Sequence, residues 1–165
     1  MKNLIAGAFA LLTVLAAPAF AQEKPTSEAI IAVAEDYLAA YSTFDMSKME
    51  PFLGDDMVFN DPTSMGQAPG GGALHFEGKA AVLENLGNFA AQYKSFSVRY
   101  DVERRYESAG VVVFVAQLSY EGEPLEGEKF AGGAPIVTAV VVKDGKIAAH
   151  YDFFDYASNA VDFGE

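Results

Sequence analysis

The sequence contains no cysteine, which excludes disulfide bonds, thiolate nucleophiles and metal sites held by cysteine. Only two histidines are present, His75 and His150, so a metal site built from three histidines is excluded as well. Basic residues are also scarce, since 11 Lys and Arg stand against 23 Asp and Glu and the formal net charge is -12. Because phosphates and anionic lipids would be repelled, we expect no nucleic-acid partner and no docking on an anionic membrane.

Several motifs of cofactor and nucleophile chemistry are missing too. The glycine-rich stretch GQAPGGG has neither the lysine nor the strand context of a phosphate-binding loop. The sequence has no serine nucleophile elbow and no pair of histidines one helical turn apart. We therefore expect a protein without a metal and without a cofactor.

What the sequence does have is enough apolar material for one folded domain. Of its 165 residues, 51% are hydrophobic and 13% are aromatic. A chain of this length usually forms a single domain, and this composition can bury enough apolar surface to offset the ordering entropy.

The first residues have the layout of a secretory signal peptide. Within residues 1–21, a lysine near the start is followed by an apolar stretch and by Ala19-Phe20-Ala21, the small-x-small form that signal peptidase accepts. A membrane anchor is the alternative, but Pro18 and the small residues fit cleavage before Gln22 better. The Ala-rich signal is typical of bacteria. We therefore expect a periplasmic protein that has no membrane association after cleavage.

Helices are predicted in the first half of the mature chain. After a short polar lead-in, apolar residues at helical spacing predict a helix at 28–42, and a shorter one follows at 46–53. A short strand is expected at 57–60 and a third helix at 77–93. Between them, residues 63–73 are rich in Gly and Pro, and they are either a cover for a site or an insertion without function.

The second half changes to the period of two that is typical of strands. Long strands are predicted at 96–103, 111–120, 129–142 and 146–156. Lys143-Asp144-Gly145 is a tight hairpin signal between the last two. Helices followed by consecutive antiparallel strands predict an α+β domain over 28–156, with the helices on one face of a curled sheet and a tail at 157–165.

The last strand is apolar on both faces. One face carries Ile147, Ala149, Tyr151 and Phe153, and the other face includes His150 and Phe154. A sheet that is apolar on both sides usually has helices on one side and another subunit on the other. We therefore expect a homodimer through the sheet.

Two carboxylates in apolar surroundings are the candidate catalytic groups. Asp61 follows an apolar strand and precedes a proline, so it either opens a turn or is delivered with Asn60 into a cavity. Asp152 lies in the middle of an aromatic strand, where a buried anion must be paired or must gain a proton. His150 lies two residues away on the same face and can orient this acid. A satisfied structural Asp–His pair is the alternative.

The side chains expected to contact a bound molecule come from the first helix and from the same two strands. Buried tyrosine hydroxyls can donate to an oxyanion, although most buried tyrosines only pack. The residues predicted to bind the substrate are Tyr37, Tyr41, Phe59, Asn60 and Phe154.

The order of elements and five segments resemble the nuclear transport factor 2-like superfamily, and within it the SnoaL-type polyketide cyclases. These segments are residues 37–41, 55–62, 76–82, 144–147 and 150–155. The resemblance implies a cone-shaped, cystatin-like α+β barrel with a mixed or antiparallel sheet, three helices on its concave face and an apolar pocket at its mouth. The superfamily hosts cyclases, isomerases, hydrolases and non-catalytic binders, so it does not fix the function.

The resemblance also implies roles for individual residues. SnoaL-type cyclases use an Asp on the last strand as acid/base, at the position of Asp152. Limonene-epoxide-hydrolase relatives match at Asp152, Asp155 and Asn60, but their Arg and second Asp have no counterpart within 111–120.

Ketosteroid-isomerase relatives match at Asp61 as base and at Tyr37 as oxyanion donor. The acid that these relatives carry on the penultimate strand is missing from residues 130–142.

Together these features predict an exported protein that binds a small, mostly apolar molecule. If it is an enzyme, we expect cofactor-free acid–base chemistry of the cyclase, isomerase or hydrolase type through Asp152. The alternative is a non-catalytic periplasmic module of the same fold that binds a ligand or another protein.

Overall fold

A computed structural model of the protein describes residues 25–63 and 74–154. Within them lie three α-helices, one turn of 3-10 helix and six strands. In chain order these are α1 (Ser27–Tyr41), α2 (Met46–Met49), the 3-10 turn (Glu50–Phe52), β1 (Leu53–Asp61), β2 (Leu74–Glu77), α3 (Lys79–Ala90), β3 (Tyr93–Ser108), β4 (Val111–Pro124), β5 (Phe130–Lys143) and β6 (Lys146–Phe154). The predicted signal peptide, most of the Gly/Pro-rich segment, Asp155 and the C-terminal tail lie outside the described residues.

The first helix begins and packs as its sequence predicts. Thr26 caps α1, because its hydroxyl oxygen accepts a hydrogen bond from the backbone N–H of Ala29 at 3.3 Å. The buried face of the helix consists of Ile30, Ala34, Tyr37, Leu38 and Tyr41. The apolar residues spaced by three and four therefore place both Tyr37 and Tyr41 in the core.

The six strands form one mixed sheet in the order β2-β1-β6-β5-β4-β3. The β1–β6 pair is parallel, and the other neighbouring pairs are antiparallel. Asp144 and Gly145 both have positive φ angles, of 52° and 72°, as a tight turn between β5 and β6 requires. Since β2 and β3 lie at the two edges, the sheet is open and does not close into the barrel that the resemblance implies.

The first and third predicted helices and the four long strands are confirmed, whereas the region of residues 46–77 differs from expectation. The predicted second helix, 46–53, is split into α2 and the 3-10 turn, after which β1 starts at Leu53. Residues 74–77 were not predicted as a strand, and Glu77 was expected to begin the third helix, but they form the edge strand β2 against β1. His75 thus lies on a strand, where its Nε2 is 3.0 Å from Glu77 Oε1 at the surface.

A bulge in β6 alters the predicted alternation of its side chains. Val141 of β5 pairs with Ala149 and Val142 pairs with Ile147, so Ala148 is an extra residue. Ile147 is consequently buried in the same core as the helices, on the side that also holds His150, and not with Tyr151 and Phe153 as expected. The bulge brings His150 and Asp152 onto the helix-covered face of the sheet.

The three helices cover one face of the sheet and enclose the core between them. The largest fully buried side chains lie there: Tyr37, Met49, Met57, Phe59, Phe114, Ile147 and His150. Among the described residues, no helix is both long and apolar enough to cross a membrane.

Candidate functional site

A cavity of about 390 Å³ lies between the helices and one end of the sheet. Aromatic and aliphatic side chains form most of its wall, and the two acids predicted to be catalytic are among its lining residues. The wall consists of Tyr41, Phe44, Phe59, Asp61, Leu74, Phe76, Asn85, Leu86, Phe89, Tyr93, Phe96, Val98, Tyr100, Leu118, Tyr120, Phe130, Ile136, Asp152 and Phe154. A concave, largely apolar space with a few polar groups is the usual form of a small-molecule site.

Asp152 is only 4% exposed, and donors from neighbouring elements surround its carboxylate. The hydroxyl of Thr138 on β5 donates to Asp152 Oδ1 at 2.5 Å. Thr138 faces Asp152 because the two residues are register partners in the β5–β6 pair. The hydroxyl of Tyr41 on α1 donates to Oδ2 over a longer distance of 3.4 Å. These donors compensate the loss of water around a buried carboxylate.

His150 is fully buried behind Asp152 and links it to the first helix. Its Nδ1 is 2.8 Å from the hydroxyl of Tyr37, and its Nε2 is 2.9 Å from Asp152 Oδ1. The Nε2 contact is close but not aligned as a hydrogen bond. Because a carboxylate only accepts, the proton of a neutral imidazole is best placed on Nε2, and Nδ1 then accepts from Tyr37. His150 is thus oriented by Tyr37 and does not line the cavity.

Asp61 makes the turn contacts expected of an Asp before proline and also lines the cavity. Its Oδ1 accepts hydrogen bonds from the backbone N–H and from the hydroxyl of Thr63, both at 3.1 Å. The Thr63 oxygen in turn accepts from the backbone N–H of Phe154 at 2.9 Å, which ties the end of β1 to the end of β6. The two alternatives considered for Asp61, a turn and a place in a cavity, therefore coexist.

Three tyrosine hydroxyls near the acids remain protonated at physiological pH. Burial raises the pKa of Tyr37, Tyr41 and Tyr100 well above its usual value, and the carboxylate of Asp152 raises each pKa further. Since Tyr41 and Tyr100 line the cavity, they present neutral O–H donors beside a carboxylate. The site can therefore both accept a proton and donate hydrogen bonds.

The residues predicted from sequence to bind the substrate divide into two groups. Tyr41, Phe59 and Phe154 line the cavity together with both acids. Tyr37 lies in the core beside His150. Asn60 points to the opposite face of β1 from Phe59, since side chains alternate along a strand, and neither Asn60 nor Tyr37 is among the described lining residues.

Sequence reasoning missed Thr138, Tyr100 and most of the aromatic wall. Thr138 carried a usable signal, because it is the only polar residue in the alternating buried series Ala134, Ile136, Thr138, Val140 and Val142. Tyr100 interacts with the Thr138 hydroxyl and so extends the set of groups around Asp152. The rings of Phe89, Phe96 and Phe130 meet only through the packing of α3 against β3 and β5, which no local pattern reveals.

In the described part of the chain, no group of three or more His, Asp or Glu side chains is placed to hold a metal ion. The polar groups that the described wall offers are two carboxyl groups, tyrosine hydroxyls and the amide of Asn85.

Helices over one face of an open, mixed sheet, with buried acids in an aromatic cavity, define an α+β protein of the nuclear transport factor 2-like type. The family model described as the SnoaL-like domain matches residues 34–150, most of the chain. The chain therefore belongs to the SnoaL-like family.

Solved structures of similar fold span nearly the whole domain. A protein from Shewanella putrefaciens described as a SnoaL-like polyketide cyclase has 20% identity and a TM-score of 0.66, over 93% of this chain and 96% of its own. An M. tuberculosis LEH-like epoxide hydrolase has 19% identity and a TM-score of 0.61, over 79% and 86%. An NTF2-like protein from Anabaena variabilis has 18% identity and a TM-score of 0.58, over 80% and 93%. At these identities the likeness shows the fold alone, and no curated protein matches the chain.

Proposed function

We propose that the protein binds a small, mostly apolar molecule in the aromatic cavity and performs cofactor-free acid–base chemistry on it through Asp152. The observation that carries this proposal is the position of Asp152, a buried carboxylate that lines the cavity and is surrounded by donors. In this function Asp152 accepts a proton from a C–H or O–H group of the bound molecule and returns it elsewhere. Asp61 is the second carboxylate of the site.

The neighbouring groups have distinct tasks in this proposal. The neutral hydroxyls of Tyr41 and Tyr100 stabilise an oxygen that becomes negative as the proton leaves. Thr138 and His150 contact the Asp152 carboxylate on the side away from the cavity and fix its orientation. The apolar wall excludes water from the cavity. Relatives with cyclase and epoxide hydrolase names share the fold, which makes the cyclase, isomerase and hydrolase classes the ones to test first.

Occupancy of the cavity is tested with the neutral fluorescent probe N-phenyl-1-naphthylamine and a matched pair of variants. Ile136 lines the cavity, whereas its neighbour Val137 lies on the other face of β5 and is 38% exposed. Ile136→Trp should fill the space and abolish the fluorescence increase, and Val137→Trp should leave it unchanged. If both variants bound the probe equally well, the probe would be binding outside the cavity.

Acid–base chemistry is tested with 2-tetralone, a neutral apolar ketone, by following deuterium exchange at its α-carbons by NMR in heavy water. The protein should accelerate this exchange, and Asp152→Asn should lower the acceleration by roughly 10²–10⁴-fold. Asn keeps an oxygen for the Thr138 hydroxyl, so the fold should survive. Ketone binding without accelerated exchange by the unaltered protein would favour the alternative, a non-catalytic binding module.

We also propose that a second copy of the chain packs on the uncovered face of the sheet. There, Val115, Val137 and Phe153 form one row across three strands, and Phe153 is 45% exposed. The row continues to Arg104 on β3 and contains no acidic residue, which suits a contact between copies whose net charge of -12 makes them repel each other. Sedimentation should give a dimer that Phe153→Lys converts to a monomer, and a monomeric parent protein would contradict this.

For the first 21 residues we propose export with cleavage before Gln22. Expression of the full-length chain in a bacterium, followed by fractionation and intact mass measurement, should give a periplasmic protein of residues 22–165. A full-length product in the cytoplasm would contradict export.

A further inference from the structure

The register of the sheet brings Asp61 and Asp152 side by side. In the parallel β1–β6 pair, Phe59 is the partner of His150, and the acids lie two residues further along each strand. Since side chains alternate, both acids are on the helix-covered face of adjacent strands. They are 8% and 4% exposed, and both line the cavity. The two carboxyl groups therefore face the same enclosed space.

Both carboxylates also act on the same phenols. Burial raises the pKa of Tyr41 and of Tyr100, whose hydroxyls line the cavity, and each of the two acids raises it further. These phenols stay neutral and add no charge of their own. The polar end of the cavity thus combines two acids with donors that are uncharged.

No basic side chain accompanies the two acids in the part of the wall that the structure describes. The described lining residues include no Lys, Arg or His. His150 touches Asp152 from behind, where its Nδ1 is held by Tyr37. Lys94 and Lys129, each next to a lining residue along the chain, both form surface ion pairs with Glu123, at 3.1 and 2.8 Å. A ligand is therefore the source of positive charge that could face the acids across this described wall.

The rest of the wall suits an organic cation. Eleven of the nineteen described lining residues are aromatic. Aromatic rings attract cations through their electron-rich faces, so such a wall can solvate an alkylated ammonium group that has lost its water. The net charge of -12 would also concentrate cations around the protein and repel anions.

From these observations we infer that the ligand of this cavity is an apolar organic cation, an amine or ammonium compound whose positive charge lies against Asp61 and Asp152. This inference rests on the proposed function and narrows its substrate class. It excludes carboxylates, sulfonates and phosphates as ligands of the site.

The test compares three probes of the same shape that differ in charge: phenyltrimethylammonium, tert-butylbenzene and benzenesulfonate. Binding is followed by NMR at the methyl groups of Ile136 and Leu118, which lie in the cavity wall. We expect the cation to bind roughly tenfold or more tightly than the neutral probe and the sulfonate to bind most weakly. Neutral or anionic probes that bind as tightly as the cation would overturn the inference.

Charge-removing variants show whether the two acids cause the preference. Asp61→Asn and Asp152→Asn each keep an oxygen for their present hydrogen bonds. Each should reduce the ratio of cation to neutral affinity several-fold while tert-butylbenzene binding is kept, which also shows that the variant is folded. Asp101→Asn removes one charge from an exposed site on β3 and should leave the ratio unchanged.

The outcomes separate this inference from the proposed function. If tert-butylbenzene binds and the ratio stays the same in Asp61→Asn and Asp152→Asn, the cation preference is wrong while apolar binding stands. If none of the three probes perturbs the cavity methyl groups, both the inference and the proposed apolar binding are wrong.

Discussion

The hydroxyl of Thr138 donates to Asp152 Oδ1 at 2.5 Å, and both side chains are buried on facing positions of β5 and β6. A buried carboxylate that loses a donor keeps its desolvation cost without the compensating bond. Thr138→Val should therefore lower the free energy of unfolding by about 1–3 kcal/mol, measured by urea denaturation. Thr138→Ser, which keeps the hydroxyl, is the control and should cost less. A valine variant as stable as the serine variant would mean that this bond contributes little.

This pair also marks the limit of what the sequence could reveal about the site. Asp152 and Asp61 are recognisable because each is an acid within an apolar strand. Thr138 is uncharged and alternates with apolar residues along β5. Only the β5–β6 register shows that it faces Asp152. The aromatic wall likewise depends on the packing of α3 against the sheet, for which a single sequence holds no pairing information.

The fold was predictable where the period of hydrophobicity is strong and local. The first and third helices and the four long strands follow from periods of 3.6 and two. Residues 74–77 were not predicted as a strand, because four residues carry little periodicity. The Gly-rich segment also separates them in the sequence from β1, the strand with which they pair. The bulge at Ala148 was not predictable either. One extra residue reverses which face of the sheet the following side chains lie on, without changing the composition.

The bond between Tyr37 and His150 should contribute more to stability than the bond between Tyr41 and Asp152. The first is 2.8 Å long and leaves a buried ring nitrogen without its partner if it is removed, whereas the second is 3.4 Å long. Tyr37→Phe should lower the free energy of unfolding by about 1–3 kcal/mol, and Tyr41→Phe by less. Each substitution keeps the ring, so the pair differs mainly in the hydrogen bond. Chemical denaturation of both variants tests this, and a larger loss in Tyr41→Phe would contradict it.

Gly110, between β3 and β4, should tolerate alanine less well than Gly145 does. Both have positive φ angles, of 89° and 72°, so alanine strains the backbone at either position. A Cβ at Gly110 would also lie 2.8 Å from the carbonyl oxygen of Val142, while a Cβ at Gly145 would meet open space. Gly110→Ala should therefore destabilise the protein by about 1–3 kcal/mol more than Gly145→Ala. Thermal unfolding measures the difference, and equal losses would show that the Val142 carbonyl can move aside.

Alkaline pH should unfold the protein through its buried tyrosines. Burial, and then the Asp152 carboxylate, raise the pKa of Tyr37, Tyr41 and Tyr100 in the folded chain above the unfolded value of about 10. Above that pH the unfolded chain releases protons that the folded chain keeps, so the free energy of unfolding falls as pH rises. Below about pH 10 this contribution is fully present.

The expected slope is about 1.4 kcal/mol per pH unit for each such tyrosine. Tyr41→Phe should remove one tyrosine from this slope, even though it also changes the stability at neutral pH. Urea denaturation at several values above about pH 10, with tyrosinate absorbance as a second readout, measures both quantities. The same slope in Tyr41→Phe and in the unaltered protein would mean that Tyr41 ionises without unfolding. Its hydroxyl would then be accessible to solvent from the cavity, and a ligand that fills the cavity should suppress that ionisation.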